Sequence, residues 1–258
     1  MRGFARVWTI ATNTVREAIR SKLLYALLFF AILMILSSIF LSSLSYVERE
    51  RILQDLGLAA IRLFGVAIAI FVGVELIHKE VDRRTVQTIL SKPLTRAEFL
   101  LGKFVGLVIA IWMQMAIMVA VFGVVSLASG APLSATHGAA FLLTAIELAL
   151  VVAIATLFSA FTTPLLASFF SGGLWIVGNL TRNLRDIGAA SHLEPVRLVT
   201  LWLHRLLPDL RSFNLSIEAT HGLPIAGSDM WLAIAYGVAY MAIILLGAVV
   251  VFERRDFR

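Results

Sequence analysis

The sequence predicts an all-α integral membrane protein with six transmembrane helices, an N-terminal interfacial helix, and a re-entrant or interfacial segment between the fifth and sixth spans. Three observations lead there. Hydrophobic residues make up 60% of the 258 and charged residues 15%, with a mean hydropathy of +0.92, whereas a soluble domain carries ~25% charged residues. Six apolar runs are long enough to cross ~30 Å of hydrocarbon, which takes ~20 helical residues. Lipid offers backbone N–H and C=O groups no partner, so each run has to be a helix.

The elements follow in chain order, and together they read as one transmembrane domain over 1–258. In residues 1–22, Phe4, Val7, Trp8, Ala11, Val15, Ala18 and Ile19 recur at helical spacing, with Arg2, Arg6, Asn13, Arg16 and Arg20 off that stripe. This predicts a basic amphipathic helix along the membrane surface, with Trp8 at headgroup level. Spans one and two fall within 23–77: Leu23–Leu44, too long for a signal-peptide core and followed by no A-x-A site, then Gly57–Ile77, which holds Arg62 and Glu75. A polar hairpin occupies 78–103. Spans three to five fall within 104–181 as Phe104–Leu127, Ala139–Phe161 and the short, Gly-rich Pro164–Thr181. The loop 182–230 contains Val196–Leu207, an apolar stretch of 12 residues between two prolines; it is too short to span, which predicts the re-entrant or interfacial helix. Trp231–Phe252 is the sixth span, and residues to 258 form a tail.

Orientation follows from Lys and Arg. Segments 1–22, 78–103, 162–163 and 253–258 together hold 14 basic residues; 45–56, 128–138 and 182–230 together hold 7. The excess places the N- and C-termini in the cytoplasm. The net charge of +6 flanks apolar runs, which assigns it to lipid headgroups and topology rather than nucleic acid.

The hairpin carries the most information. Val81, Thr85, Val86, Ile89 and Leu90 share one side of a short helix, with Asp82, Arg83 and Gln87 elsewhere. Pro93 ends it, because the residue before a proline is pushed out of the helical region. Thr95-x-x-Glu98 then forms a capping box that starts the helix of the third span. An apolar stripe on a cytosolic helix points to a partner groove.

The pattern Glu80, Arg84-Thr85, Leu90-Ser91, Pro93, Arg96, Glu98, Gly102-Lys103 resembles the signature of ABC-2 type permeases, closest to the gliding-motility and nitrous-oxide-reductase-maturation branch. The likeness extends to the basic N-terminal helix, the six spans, Leu207-Pro208-Asp209-Leu210 and the tail Arg254-Arg255-Asp256; it departs at Arg83, where many relatives carry a small residue. The resemblance implies a multi-pass protein of a prokaryotic cytoplasmic membrane. Residues 81–92 would be a coupling helix seated in a separate ATPase subunit, with the N-terminal helix beside it as connecting helix. Glu80, Val81, Arg84, Thr85, Val86, Ile89, Leu90, Ser91, Pro93, Arg96 and Lys103 would form the coupling surface. Two permeases, identical or homologous, would flank a path lined by spans two and five, with 182–230 closing its outer end. The implied role is the permease subunit of an exporter, with ATP and Mg bound by the partner and no cofactor in this chain. The alternative is a membrane scaffold that recruits a cytosolic protein without transport. A third reading, an ion-coupled transporter, would need paired broken helices and more buried carboxylates.

The chain holds no cysteine, which excludes disulfides and thiolate metal sites. At Gly102-Lys103, Ala97 stands where a Walker loop needs Gly and Phe104 follows the Lys, so the phosphate cradle is absent. Neither H-E-x-x-H nor G-x-S-x-G occurs. His137, His192, His204 and His221 show no ligand spacing and read as solvated or interfacial. Catalytic and metal residues are therefore none.

Within the spans, Glu147 and Arg62 enter from the same side at comparable depth. They either pair, or Arg62 snorkels to the headgroups while Glu147 is protonated or capped by Thr144; both readings are structural. Gly65, Ala69 and Gly73 form a small-residue stripe for close helix approach. Ser168, Ser171, Gly172, Trp175 and Asn179 share one face of the fifth span, for packing or for lining a path.

Overall fold

The computed structural model describes residues 2–44, 48–82, 95–190, 197–198, 200, 202 and 207–254. It is all-helical. Helix α1 (Arg2–Ile19) precedes α2 (Lys22–Ser43), α3 (Arg49–Asp82), α4 (Arg96–Ala128), α5 (Ala135–Ser159) and α6 (Pro164–Ala190); then come a 3₁₀ turn, η1 (Leu210–Phe213), the short α7 (Ser216–His221) and α8 (Gly227–Arg254). Six of them, α2 to α6 and α8, are long and apolar enough to cross a membrane.

Helices α3 and α5 form the centre. Every residue from Leu148 to Ala155 is buried, the condition of a helix surrounded by other helices on all sides. Around this pair, α2 packs on α3 and α4, α6 on α3 and α5, and α8 on α5 and α4. Glycines set the close approaches: a Cβ on Gly57 would lie 2.2 Å from the Phe122 ring, and one on Gly65 2.9 Å from Leu148. Phe122 and Leu148 are both fully buried, so these are knobs seated in holes that only glycine leaves open.

Several boundaries differ from the hydropathy reading. The helix of the second span continues through Asp82, the last described residue before 95, and that of the third begins at Arg96, so Val81 follows Ile77 in one unbroken helix. Apolar content ends where lipid ends, but nothing between Ile77 and Asp82 breaks a helix. The helix of the fifth span, α6, likewise runs past Thr181 to Ala190. Most of 196–207 lies outside the described residues; Arg197, Leu198, Thr200 and Trp202 are helical.

Downstream of that stretch, η1 and α7 close the end of the bundle opposite α1. Leu210 and Phe213 are fully buried. A Cβ on Gly178 would meet Leu210 at 2.8 Å, and one on Gly237 would meet Phe213 at 3.0 Å. The Asp209 carboxylate caps η1 through Arg211 N–H at 3.2 Å, and Thr220 Oγ1 donates to Asp55 at 2.6 Å. Periodicity could not reveal this plug, because both elements are too short to show it.

Candidate functional site

Arg62 lies 13 residues into α3 and Glu147 12 residues into α5, about 20 and 18 Å along helices that run in the same direction. The sequence left open whether they meet; the fold brings them together. Arg62 Nε donates to Glu147 Oε2 at 2.7 Å and Nη2 to Oε1 at 2.7 Å, a bidentate fork. Two residues of α6 complete the cluster. Trp175 Nε1 donates to Glu147 Oε1 at 2.8 Å, and Asn179 Oδ1 accepts from Arg62 Nη2 at 2.6 Å. Asn179 Nδ2 in turn donates to the Trp175 carbonyl at 2.9 Å, and the guanidinium carbon sits 5.7 Å from the Trp175 ring centroid. Glu147 is fully buried and the Arg62 side chain 14% exposed.

Both carboxylate oxygens are thus occupied. A desolvated charge inside a membrane is tolerated when paired and hydrogen-bonded, and planar Arg–carboxylate forks are the strongest such pairs. Chemically the cluster holds no free nucleophile or base. Mechanically it ties α6 to the α3–α5 pair. The rest of the α6 face does not join it: Ser171 Oγ donates to the Ala167 carbonyl at 2.7 Å, Ser168 is half-buried, and Gly172 lies near Ile70. On α3, Ala69 is buried and a Cβ on Gly73 would lie 3.8 Å from the Ala155 Cβ, so the small-residue stripe packs against α5.

The second polar assembly is at the end of the bundle that carries α1. Helix α1 lies on α4, where Cβ atoms on Gly102 and Gly106 would collide with Ile10 at 2.7 Å and with the Ala11 carbonyl at 2.6 Å. Its apolar stripe is therefore split: Ala11 and Ala18 are buried, while Phe4 and Trp8 stay exposed. Glu17 accepts from Lys79 at 3.2 Å and from the buried Lys103 at 3.3 Å, linking α1 to α3 and α4. At the start of α4 both halves of the Thr95/Glu98 capping box form, Arg6 lies 3.8 Å from Glu98, and Arg96 Nη1 donates to the Phe252 carbonyl at 3.3 Å.

Of the predicted coupling residues, Glu80 and Val81 are the last turn of α3, Arg96 opens α4, and Lys103 is buried beneath α1. Arg84, Thr85, Val86, Ile89, Leu90, Ser91 and Pro93 lie outside the described residues. The sequence reading passed over Glu17 and Gly106. The four-residue spacing of Gly102 and Gly106 was the available signal for the second. His137 Nδ1 accepts from Ser134 N–H at 3.2 Å as part of the α5 N-cap. Among the described residues no three of His, Asp or Glu gather into a metal site.

No curated protein matches the chain. A family model described as ABC-2 family transporter protein matches residues 8–257.

Proposed function

The chain belongs to the ABC-2 family of transporter membrane proteins, and from that premise we propose that it is the permease subunit of an ATP-driven exporter whose ATPase docks on the segment joining α3 and α4. Members of this family carry no ATPase domain, and hydrolysis falls to a partner subunit. In the proposed assembly two permeases, identical or homologous, flank a path beside α3 and α6, and the termini lie in the cytoplasm of a prokaryotic cell. The gliding-motility and nitrous-oxide-reductase-maturation permeases are the proposed nearest branch.

The observation that carries the reading is how both ends of segment 83–94 are held. They emerge from helices of 34 and 33 residues, each about 50 Å long, against ~30 Å of hydrocarbon. Glu17 of α1 grips Lys79 on one and Lys103 on the other. A force applied to the segment is thereby delivered to two rigid spans and to α1 rather than absorbed by a loop.

Ile89→Asp tests the docking. A charge placed in a desolvated groove should cost more than ~2 kcal/mol of binding and abolish co-purification of the ATPase, with membrane insertion unchanged. Thr95→Ala should cost only ~1 kcal/mol through the lost cap and give a milder defect. Wild-type ATPase recovery and substrate-stimulated hydrolysis with Ile89→Asp would refute the assignment. If no ATPase accompanies the unmutated protein under gentle extraction, the scaffold reading replaces it.

Topology has a separate check in this Cys-free chain. Ser228→Cys, at the exposed start of α8, should react with an impermeant thiol reagent in intact cells, and Ser91→Cys only after lysis. Labelling of Ser91→Cys from outside would reverse the proposed orientation.

A further inference from the structure

A cleft of about 910 Å³ opens where α1 turns into α2, its lining including Arg16, Glu17, Arg20, Lys22, Glu75 and Lys79. Four cations face two carboxylates, so the lining is net positive even though only Glu17 is ion-paired. Glu17 holds Lys79 at 3.2 Å and Lys103 at 3.3 Å, and Glu75 accepts from Ser21 Oγ at 3.3 Å. Arg16, Arg20 and Lys22 are exposed and face no carboxylate within 4.0 Å among the described residues. Arg16 sits in the last turn of α1 and Arg20 in the turn just past its end, so two like charges line the same cleft, where they repel. The same wall includes the first turn of α2, which has no acidic residue and whose N-cap hydroxyl is spent on Glu75.

The depth of the cleft identifies the kind of anion. Helix α2 is an apolar span of 22 residues, about 33 Å long, which matches the ~30 Å of hydrocarbon and sets Lys22 at headgroup level. Beside the cations, Ile19, Leu23 and Tyr25 expose 40%, 39% and 54% of their surface, continuing the exposed edge of Phe4 and Trp8. Cations at headgroup depth next to exposed apolar side chains fit a phosphodiester with acyl chains. A site for a soluble anion has no use for the apolar border.

We propose that this cleft binds the headgroup of an anionic phospholipid, with Arg16 and Arg20 gripping the phosphate and Lys22 beside it. Guanidinium groups match phosphate oxygens in pairs. The bound lipid would fasten α1 to α2 across Arg20–Ser21, independently of any ATPase and of the transported cargo.

The test is native mass spectrometry of the full-length purified protein, with any ATPase that accompanies it, titrated with phosphatidylglycerol, phosphatidylcholine or inorganic phosphate. Wild type should retain phosphatidylglycerol over phosphatidylcholine. Arg16→Gln/Arg20→Gln should lower phosphatidylglycerol affinity on the order of tenfold or more and leave phosphatidylcholine unchanged. Arg49→Gln/Arg51→Gln, at the other end of the bundle, should have no effect. Lys22→Gln gives a smaller loss in the same direction and serves if the double variant does not fold. Equal retention of the two lipids, or unaltered phosphatidylglycerol binding by these variants, overturns the proposal. So does displacement of the lipid by inorganic phosphate, which marks a soluble-anion site. Loss of the ATPase with lipid binding intact would mark the cleft as a protein contact and overturn it equally.

Discussion

Glu147→Ala is expected to destabilise the detergent-solubilised protein by about 3 kcal/mol, because it removes the partner of a largely buried guanidinium and leaves the charge behind. Arg62 would keep only Asn179 Oδ1 at 2.6 Å and the face of Trp175, neither of which neutralises it. In an Arg62→Ala background the uncompensated charge is gone, so the same Glu147→Ala change should cost far less. The expected coupling is about 2–3 kcal/mol, read from thermal or denaturant melts of the four proteins in the cycle. Additive losses would mean that Arg62 reaches solvent or headgroups and the fork contributes little. The α6 contacts extend the expectation: separating α6 from α3 and α5 must break the Trp175 and Asn179 bonds to the pair. If the proposed path opens beside α3 and α6, this cluster is the latch that such a movement has to release or carry along.

The second large effect is expected at Gly106. A Cβ there would lie 2.6 Å from the Ala11 carbonyl oxygen and 2.6 Å from Thr14 Cβ. The first obstacle is backbone, so no rotamer change relieves it, and α1 has to lift from α4. Gly106→Val should therefore cost about 3 kcal/mol, at the upper end of overpacking effects. Undocking would expose Ala11 and Ala18, which are fully buried, and should raise proteolysis of the N-terminal segment. It would also weaken the grip of Glu17 on Lys79 and Lys103, so the proposed coupling should fall with it. Gly138→Val is the matched control: no atom lies within 4 Å of that Cβ position, so the same substitution there meets no neighbouring helix. Equal melting of the two variants would show that the α1–α4 contact is looser than its geometry.

What the sequence alone determined is what solvent and local chain chemistry impose. Six apolar runs have to become helices because lipid leaves the backbone no other partner, and the six candidate spans are those runs. The Thr95/Glu98 box is legible because a cap is a contact between residues three apart. The helices of the second, third, fifth and sixth spans extend beyond their apolar runs: hydropathy reports where lipid stops, while a helix such as α3 continues until something breaks it. Only the tertiary structure decided which helices touch and by which faces. Arg62 and Glu147 are 85 residues apart, and their pairing depends on the rotation of α3 against α5, which Gly65 seated on Leu148 helps to set. Likewise Trp175 and Asn179 read as one helix face, yet their role comes from α6 lying across that pair. The plug formed by Leu210 and Phe213 is too short for any periodicity, and glycines on α6 and α8 make its seat. Composition sets the medium and the helices in it; which polar groups are neutralised in that medium is a matter of geometry between distant segments, and no local pattern encodes it.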